Sequence, residues 1–166
     1  MMPPKQNNSP DDFQTPEVAV RLLIPFLKKE WIIWEPAIGK GNIVNVLKKG
    51  GFEVKGTDIL TGFDFLKQIP DFEFDCIITN PPYSLKDEFL ERAYWYDKPF
   101  AMLLPITALE GQKRQELYKK HGIQLIIPNK RINFETPSGK GSGSWFASAW
   151  FTYKFDLPKD IMFEVM

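Results

Sequence analysis

With 166 residues, 43% hydrophobic and 25% charged, the chain fits one compact domain with a single core and is too short for a second independent one. Twenty-one basic residues balance twenty-one acidic ones, which excludes the overall positive field typical of proteins that live by phosphate contacts, so any basic surface must be local. A single cysteine, Cys76, and a single histidine, His121, exclude a disulfide framework and a zinc site of the usual Cys/His kind. The apolar stretch Leu22 to Leu27 is short, contains Pro25 and ends in charge, so it is neither a membrane span nor a signal-peptide core. A cytoplasmic protein with no membrane partner is expected.

Residues 1–12 are polar and proline-rich and read as a flexible tail. Thr15-Pro16 then opens a run with Val18, Leu22, Leu23 and Phe26 at helical spacing. The spacing predicts a helix over 16–28, with Thr15 as N-cap, Pro16 as first helical residue and a bend at Pro25. Trp31 to Trp34 is an aromatic and β-branched run that reads as a buried strand ending in Glu35-Pro36-Ala37-Ile38-Gly39-Lys40-Gly41-Asn42. A short amphipathic helix, Ile43 to Lys49, is closed by Gly50-Gly51, and Phe52 to Gly56 is a second strand ending at Thr57-Asp58-Ile59. After a short element near 62–66 come a strand over 74–79, a helix over 85–95, a strand over 100–105, a helix over 112–120 and a strand over 123–127. A glycine- and serine-rich loop, 136–144, leads to a last aromatic strand over 145–155. Alternating strands and helices predict an α/β fold with a parallel sheet covered on both faces, and a last strand reached without a helix predicts an antiparallel edge pair.

In such sheets ligands lie at the carboxyl ends of the strands, where strand order reverses. Glu35, Asp58, Asp64 and Asn80 all follow strands. Gly39 and Gly41 allow close backbone approach, while three carboxylates stand where a phosphate loop would need donors, which favours a cation or hydroxyls. The GxGxxG spacing and the P-loop lysine are absent. Asn80-Pro81-Pro82-Tyr83 follows the run Asp75 to Thr79, and the two prolines prevent continuation as strand or helix. As a site, the loop offers the Asn80 side-chain oxygen and the Pro81 carbonyl as acceptors for an NH2 group and Tyr83 as a face for a flat ring. As scaffold, it is an ordinary strand-to-helix turn.

Taken together these segments resemble the amino-methyltransferases that use S-adenosylmethionine, specifically the DNA adenine-N6 group, over most of the chain and in an order similar to its γ members. The resemblance implies a Rossmann-like methyltransferase sandwich, a mostly parallel sheet with an antiparallel C-terminal strand, spanning residues 13–157 and followed by a tail at 158–166. It implies S-adenosylmethionine as cofactor. Thr15-Pro16 matches the element near its methionine end, Glu35-Pro36-Ala37-x-Gly39-x-Gly41 the cofactor loop, Asp58-Ile59 the ribose contact, and Asp64-Phe65 the pair that bonds and packs on its adenine. Asn80 to Tyr83 matches the catalytic loop, with Asn80 also beside the cofactor.

The chemistry that follows is direct in-line transfer to an exocyclic amine whose hydrogens are held by two acceptors. The base must be flipped out or already unpaired. Phe134, Trp145 and Phe146 flank the 136–144 loop, where they either stack on the base or fill the core. Lys130 and Arg131 are candidate phosphate contacts within a basic stretch that also reads as a solvated face. Cys76 reads as core and His121 as a partner of a helix C-terminus. No segment is assigned to target recognition, so recognition is expected to be short or relaxed, or to come from a partner chain. The substrate expected is DNA. The same loop would serve adenine in RNA or a protein glutamine amide, and a non-catalytic binding module is the remaining alternative.

Overall fold

A computed structural model describes residues 14–136, 139–140 and 146–166. The expected N-terminal tail and Trp145 lie outside the described residues. In chain order the elements are α1 (Glu17–Arg21), β1 (Ile32–Glu35), α2 (Asn42–Lys49), β2 (Glu53–Gly56), β3 (Cys76–Thr79), α3 (Lys86–Tyr96), β4 (Phe100–Pro105), α4 (Gln112–His121), β5 (Gln124–Pro128), the short pair β6 (Glu135–Thr136) and β7 (Gly139–Lys140), β8 (Ser148–Tyr153) and β9 (Ile161–Glu164).

Seven strands form one sheet in the order β2-β1-β3-β4-β8-β5-β9. Strands β1 to β4 pair in parallel, β8 runs antiparallel between β4 and β5, and β9 pairs parallel with β5. This is the predicted α/β sandwich, mostly parallel with an antiparallel strand near the C-terminus. The all-buried runs Cys-Ile-Ile-Thr in β3 and Phe-Ala-Met-Leu-Leu in β4 belong to strands covered on both faces. The two-residue alternation assigns neighbours to opposite layers. Ile33, Ile78 and Leu103 join Val20, Leu47 and Trp150 on the side of α1 and α2, while Trp34, Ile77 and Met102 join Phe89, Leu90 and Phe151 on the side of α3.

Three expectations are corrected. The helix over 16–28 is a five-residue α1 followed by a 3-10 turn, Ile24–Phe26, because Pro25 has no N–H for the carbonyl of Arg21. Pro16, in extended conformation, is its N-cap, with no side-chain cap bond, so Thr15 is not the cap. The antiparallel strand is not part of an edge pair: Ala149, Trp150 and Phe151 are fully buried, and ladders on both sides place β8 inside the sheet. The edge is instead β9, within the expected tail 158–166, which stands at the end of the sheet and pairs with β5.

Candidate active site

Strand order reverses between β2 and β3 on either side of β1, so the carboxyl ends of these three strands open a crevice. The loop after β1 is bound to the end of β2 by a relay of backbone bonds, Thr57 N to Glu35 O at 2.9 Å and Ile38 N to Thr57 O at 3.1 Å. Gly39 (φ 54°) then turns its N–H onto Asp58 Oδ2 at 2.9 Å. A Cβ at Gly39 would stand 3.0 Å from the Gln14 amide, so glycine meets both a left-handed backbone and a close approach there. Asp58 takes a second amide, Leu60 N at 2.9 Å, and so caps the 3-10 turn Ile59–Thr61.

Glu35 is almost fully buried and accepts from Thr79 Oγ1 at 2.6 Å and Ala37 N at 2.8 Å. Burial pushes its carboxyl up to about 8; the bonds from Thr79 and Ala37 oppose the rise, and the charge of Asp58 adds to it. A carboxyl raised from its usual 4.5 binds a proton in the folded state that the unfolded chain releases, so stability falls as pH climbs from about 4.5 to about 8. Urea denaturation of ligand-free protein at pH 5 and pH 8 is expected to show this fall in the wild type and a shallower one in Glu35→Gln. Equal slopes would assign the pH dependence to other groups.

On the far side of the crevice Asn80 Nδ2 donates to Thr15 Oγ1 at 3.1 Å, and Asn42 Nδ2, at the start of α2, donates to Thr15 O at 3.1 Å. Pro82 leads into the 3-10 turn Tyr83–Leu85 and then α3, and Lys86 Nζ reaches back to Tyr83 O at 3.3 Å.

These elements enclose a cavity of about 630 Å³. Of the sequence-predicted residues, Thr15, Glu35, Pro36, Ala37, Gly39, Asp58, Ile59, Asp64, Phe65, Asn80 and Pro82 line it. Pro16, Gly41 and Pro81 sit next to lining residues without lining it themselves. Gly41 (φ 87°) instead serves as N-cap of α2. Asp64 is partly engaged, accepting from Leu66 N at 2.9 Å. Phe65 is a buried wall residue, packed on Phe89 at 4.8 Å and Trp34 at 5.2 Å, and the more exposed ring on that wall is Phe63. Sequence reasoning missed Phe63, Gln14 and Thr79. The alternation Phe63-Asp64-Phe65 was a signal for the first; the other two become visible only through Gly39 and Glu35, which they contact.

The expectation of an open Tyr83 face is corrected. Tyr83 is buried outside the cavity lining, with Phe146 edge-on at 5.6 Å and Phe146 stacked on Phe134 at 5.9 Å. Burial raises its hydroxyl well above the usual phenol range. Of the two readings of the loop aromatics, packing describes Phe134 and Phe146 here. Lys130 and Arg131 are exposed just after β5, with β4 and β8 between them and β3. Cys76 is buried in β3, and the His121 ring lies on Tyr94 at 4.7 Å rather than near the crevice. Among the described residues there is no cluster of three His, Cys, Asp or Glu side chains, and no helix long and apolar enough to cross a membrane.

No protein-family model and no curated protein sequence matches the chain. Solved structures do. A protein from Listeria monocytogenes described as a class I S-adenosylmethionine-dependent methyltransferase superposes with a TM-score of 0.63 at 17% identity, over 92% of this chain and 65% of that one. A type I restriction-enzyme modification subunit from Vibrio vulnificus gives 0.59 at 12% identity, over 89% of this chain and 45% of that one. An S-adenosylmethionine-dependent methyltransferase from Archaeoglobus fulgidus gives 0.51 at 14% identity, over 83% and 92%. The chain thus spans less than two thirds of the first two proteins. Strand order, the crevice at the β1–β3 reversal and these superpositions agree: this chain has the fold of the S-adenosylmethionine-dependent methyltransferases.

Proposed function

We propose that the chain binds S-adenosylmethionine in this cavity and transfers its methyl group to the N6 amine of adenine in DNA, with short or relaxed sequence recognition. The observation that carries the reading is the shared cavity: Asn80 and Pro82 line the same space as Glu35, Asp58 and Asp64. The donor set suits the cofactor. Glu35 would hold its ammonium end and Asp58 its ribose hydroxyls, and Ile59, Phe63 and Phe65 would offer apolar walls to its adenine. S-adenosylmethionine, when bound, supplies an electrophilic methyl group on a sulfonium sulfur.

An amine conjugated to a purine is a weak nucleophile. Asn80 Oδ1 and the Pro81 carbonyl would accept from its two N–H groups, localise the nitrogen lone pair and aim it in line at the methyl group the cofactor would supply, which calls for no covalent enzyme intermediate. Lys130 and Arg131, on the carboxyl edge, are assigned to phosphates, and the 128–144 region or a partner chain to what recognition there is.

The test is transfer of labelled methyl to duplex DNA, single-stranded DNA, RNA and a peptide release factor in parallel, followed by nucleoside mass spectrometry. N6-methyladenine in DNA is the expected product. Label in RNA or protein alone would reassign the loop to that substrate, and cofactor binding without transfer to any of them would refute the enzymatic reading.

A further inference from the structure

We propose that Thr79, the last residue of β3, is a positioning residue for Glu35: its hydroxyl donates to one carboxylate oxygen and so leaves the other oriented toward the ammonium end of S-adenosylmethionine. The inference rests on the function proposed above and extends it to a residue outside the cavity lining.

A hydroxyl in the run Cys-Ile-Ile-Thr departs from the apolar pattern of a doubly covered strand. Thr79 is fully buried, and a buried hydroxyl is costly unless it is bonded. Its partner is Glu35 Oε1, 2.6 Å away on the adjacent parallel strand β1. The direction of this bond follows from the partner: an ionised carboxylate only accepts, so Thr79 donates. A β-branched side chain packed on all sides has few rotamers, which fixes the donor in place.

Both protein bonds to the carboxylate fall on the same oxygen. Oε1 takes Thr79 Oγ1 at 2.6 Å and Ala37 N at 2.8 Å, whereas among the described residues no group donates to Oε2. Oε2 is not sealed from solvent, and Glu35 lines the cavity. The last torsion of a glutamate is broad and poorly defined by itself. Two donors on Oε1, one from the turn after β1 and one from β3, hold it; the Ala37 N–H alone would let the carboxylate plane turn about a single bond. Both donors also favour the charged form of Glu35, the form that pairs with an ammonium group. The strand that delivers Asn80 thus also orients the cofactor carboxylate.

The decisive comparison is Thr79→Val, which keeps the shape and removes the donor, against Thr79→Ser, which restores it; Thr79→Ala replaces the valine variant if that one fails to fold. Calorimetric Kd values are measured on the whole chain for S-adenosylhomocysteine, which carries the ammonium group, and for 5′-methylthioadenosine, which lacks the amino-acid end. Thr79→Val is expected to weaken S-adenosylhomocysteine about tenfold, the scale of one hydrogen bond to a charged group. It should change 5′-methylthioadenosine less than twofold, and Thr79→Ser should return S-adenosylhomocysteine to within threefold of wild type. A merely structural role would weaken both ligands alike; that result, or unchanged S-adenosylhomocysteine affinity in Thr79→Val, would overturn the proposal. Glu35→Gln separates this inference from the reading beneath it. A selective loss of S-adenosylhomocysteine in Glu35→Gln with none in Thr79→Val would refute the role of Thr79 alone, whereas no selective loss in Glu35→Gln would refute the ammonium contact and the proposal with it.

Discussion

Asn80→Ala is expected to lower methyl transfer about a thousandfold, while the variant keeps its fold and its affinity for S-adenosylhomocysteine within a few-fold. A thousandfold is about 4 kcal/mol of transition-state stabilisation, the range found when one preorganised hydrogen-bonding group is removed from an active site. Asn80 would supply one of two acceptors for the target amine, and Pro81, whose contribution is a backbone carbonyl, survives the substitution. The stability cost should be small, because Asn80 is only partly buried. Single-turnover transfer at saturating cofactor, together with calorimetric binding of S-adenosylhomocysteine, separates the two quantities. A loss of less than tenfold in transfer would mean that this loop does not clamp the amine. A parallel collapse of cofactor affinity would make Asn80 a binding residue first.

The largest effect on stability is expected at Trp34. Trp34→Ala should cost about 3–5 kcal/mol and lower the melting temperature by roughly 8–15 °C for a chain of this size. The ring is fully buried and meets Phe63, Phe65, Phe72, Phe74 and Tyr96 at centroid distances of 4.8 to 5.8 Å. Its Nε1 donates to Thr57 Oγ1 at 3.0 Å. Alanine would leave a cavity under two walls of the site, Phe63 and Phe65, and free the residue before Asp58. Cofactor affinity should therefore fall together with stability. Trp95→Ala is the control: that ring is 60% exposed with the Arg92 guanidinium 4.5 Å from its centre, so its loss should cost no more than about 1 kcal/mol. Urea unfolding of the two variants decides it. Similar costs would mean that the aromatic layer around Trp34 relaxes into the space left behind.

The glycine-bearing turn after β1, the carboxylates after β1 and β2 and the proline-locked loop after β3 were legible because each is a local property of the chain: an apolar run ends, and the next few residues state which conformations remain possible. A run such as Cys-Ile-Ile-Thr, bounded by turn residues, suits a doubly covered sheet position. Length mattered less. The 16–28 run reads as one helix by periodicity, yet the missing N–H at Pro25 divides it, and β9 was overlooked because four alternating residues near a terminus resemble a tail.

Sequence by itself thus determined the alternation of elements, the doubly wound class of the sheet and the gathering of Glu35, Asp58 and Asn80 at one edge, since parallel strands joined by helices must all end on the same side. Tertiary structure alone decided how those groups are used. Insertion of β8 between β4 and β5 brings Phe146 onto Tyr83, and so closes the face that the loop would otherwise offer. Burial brings Thr79 onto Glu35, 44 residues away, and Thr15 onto Asn80. Such contacts leave no local trace, because they depend on where two distant backbones cross and not on what either segment prefers to do alone.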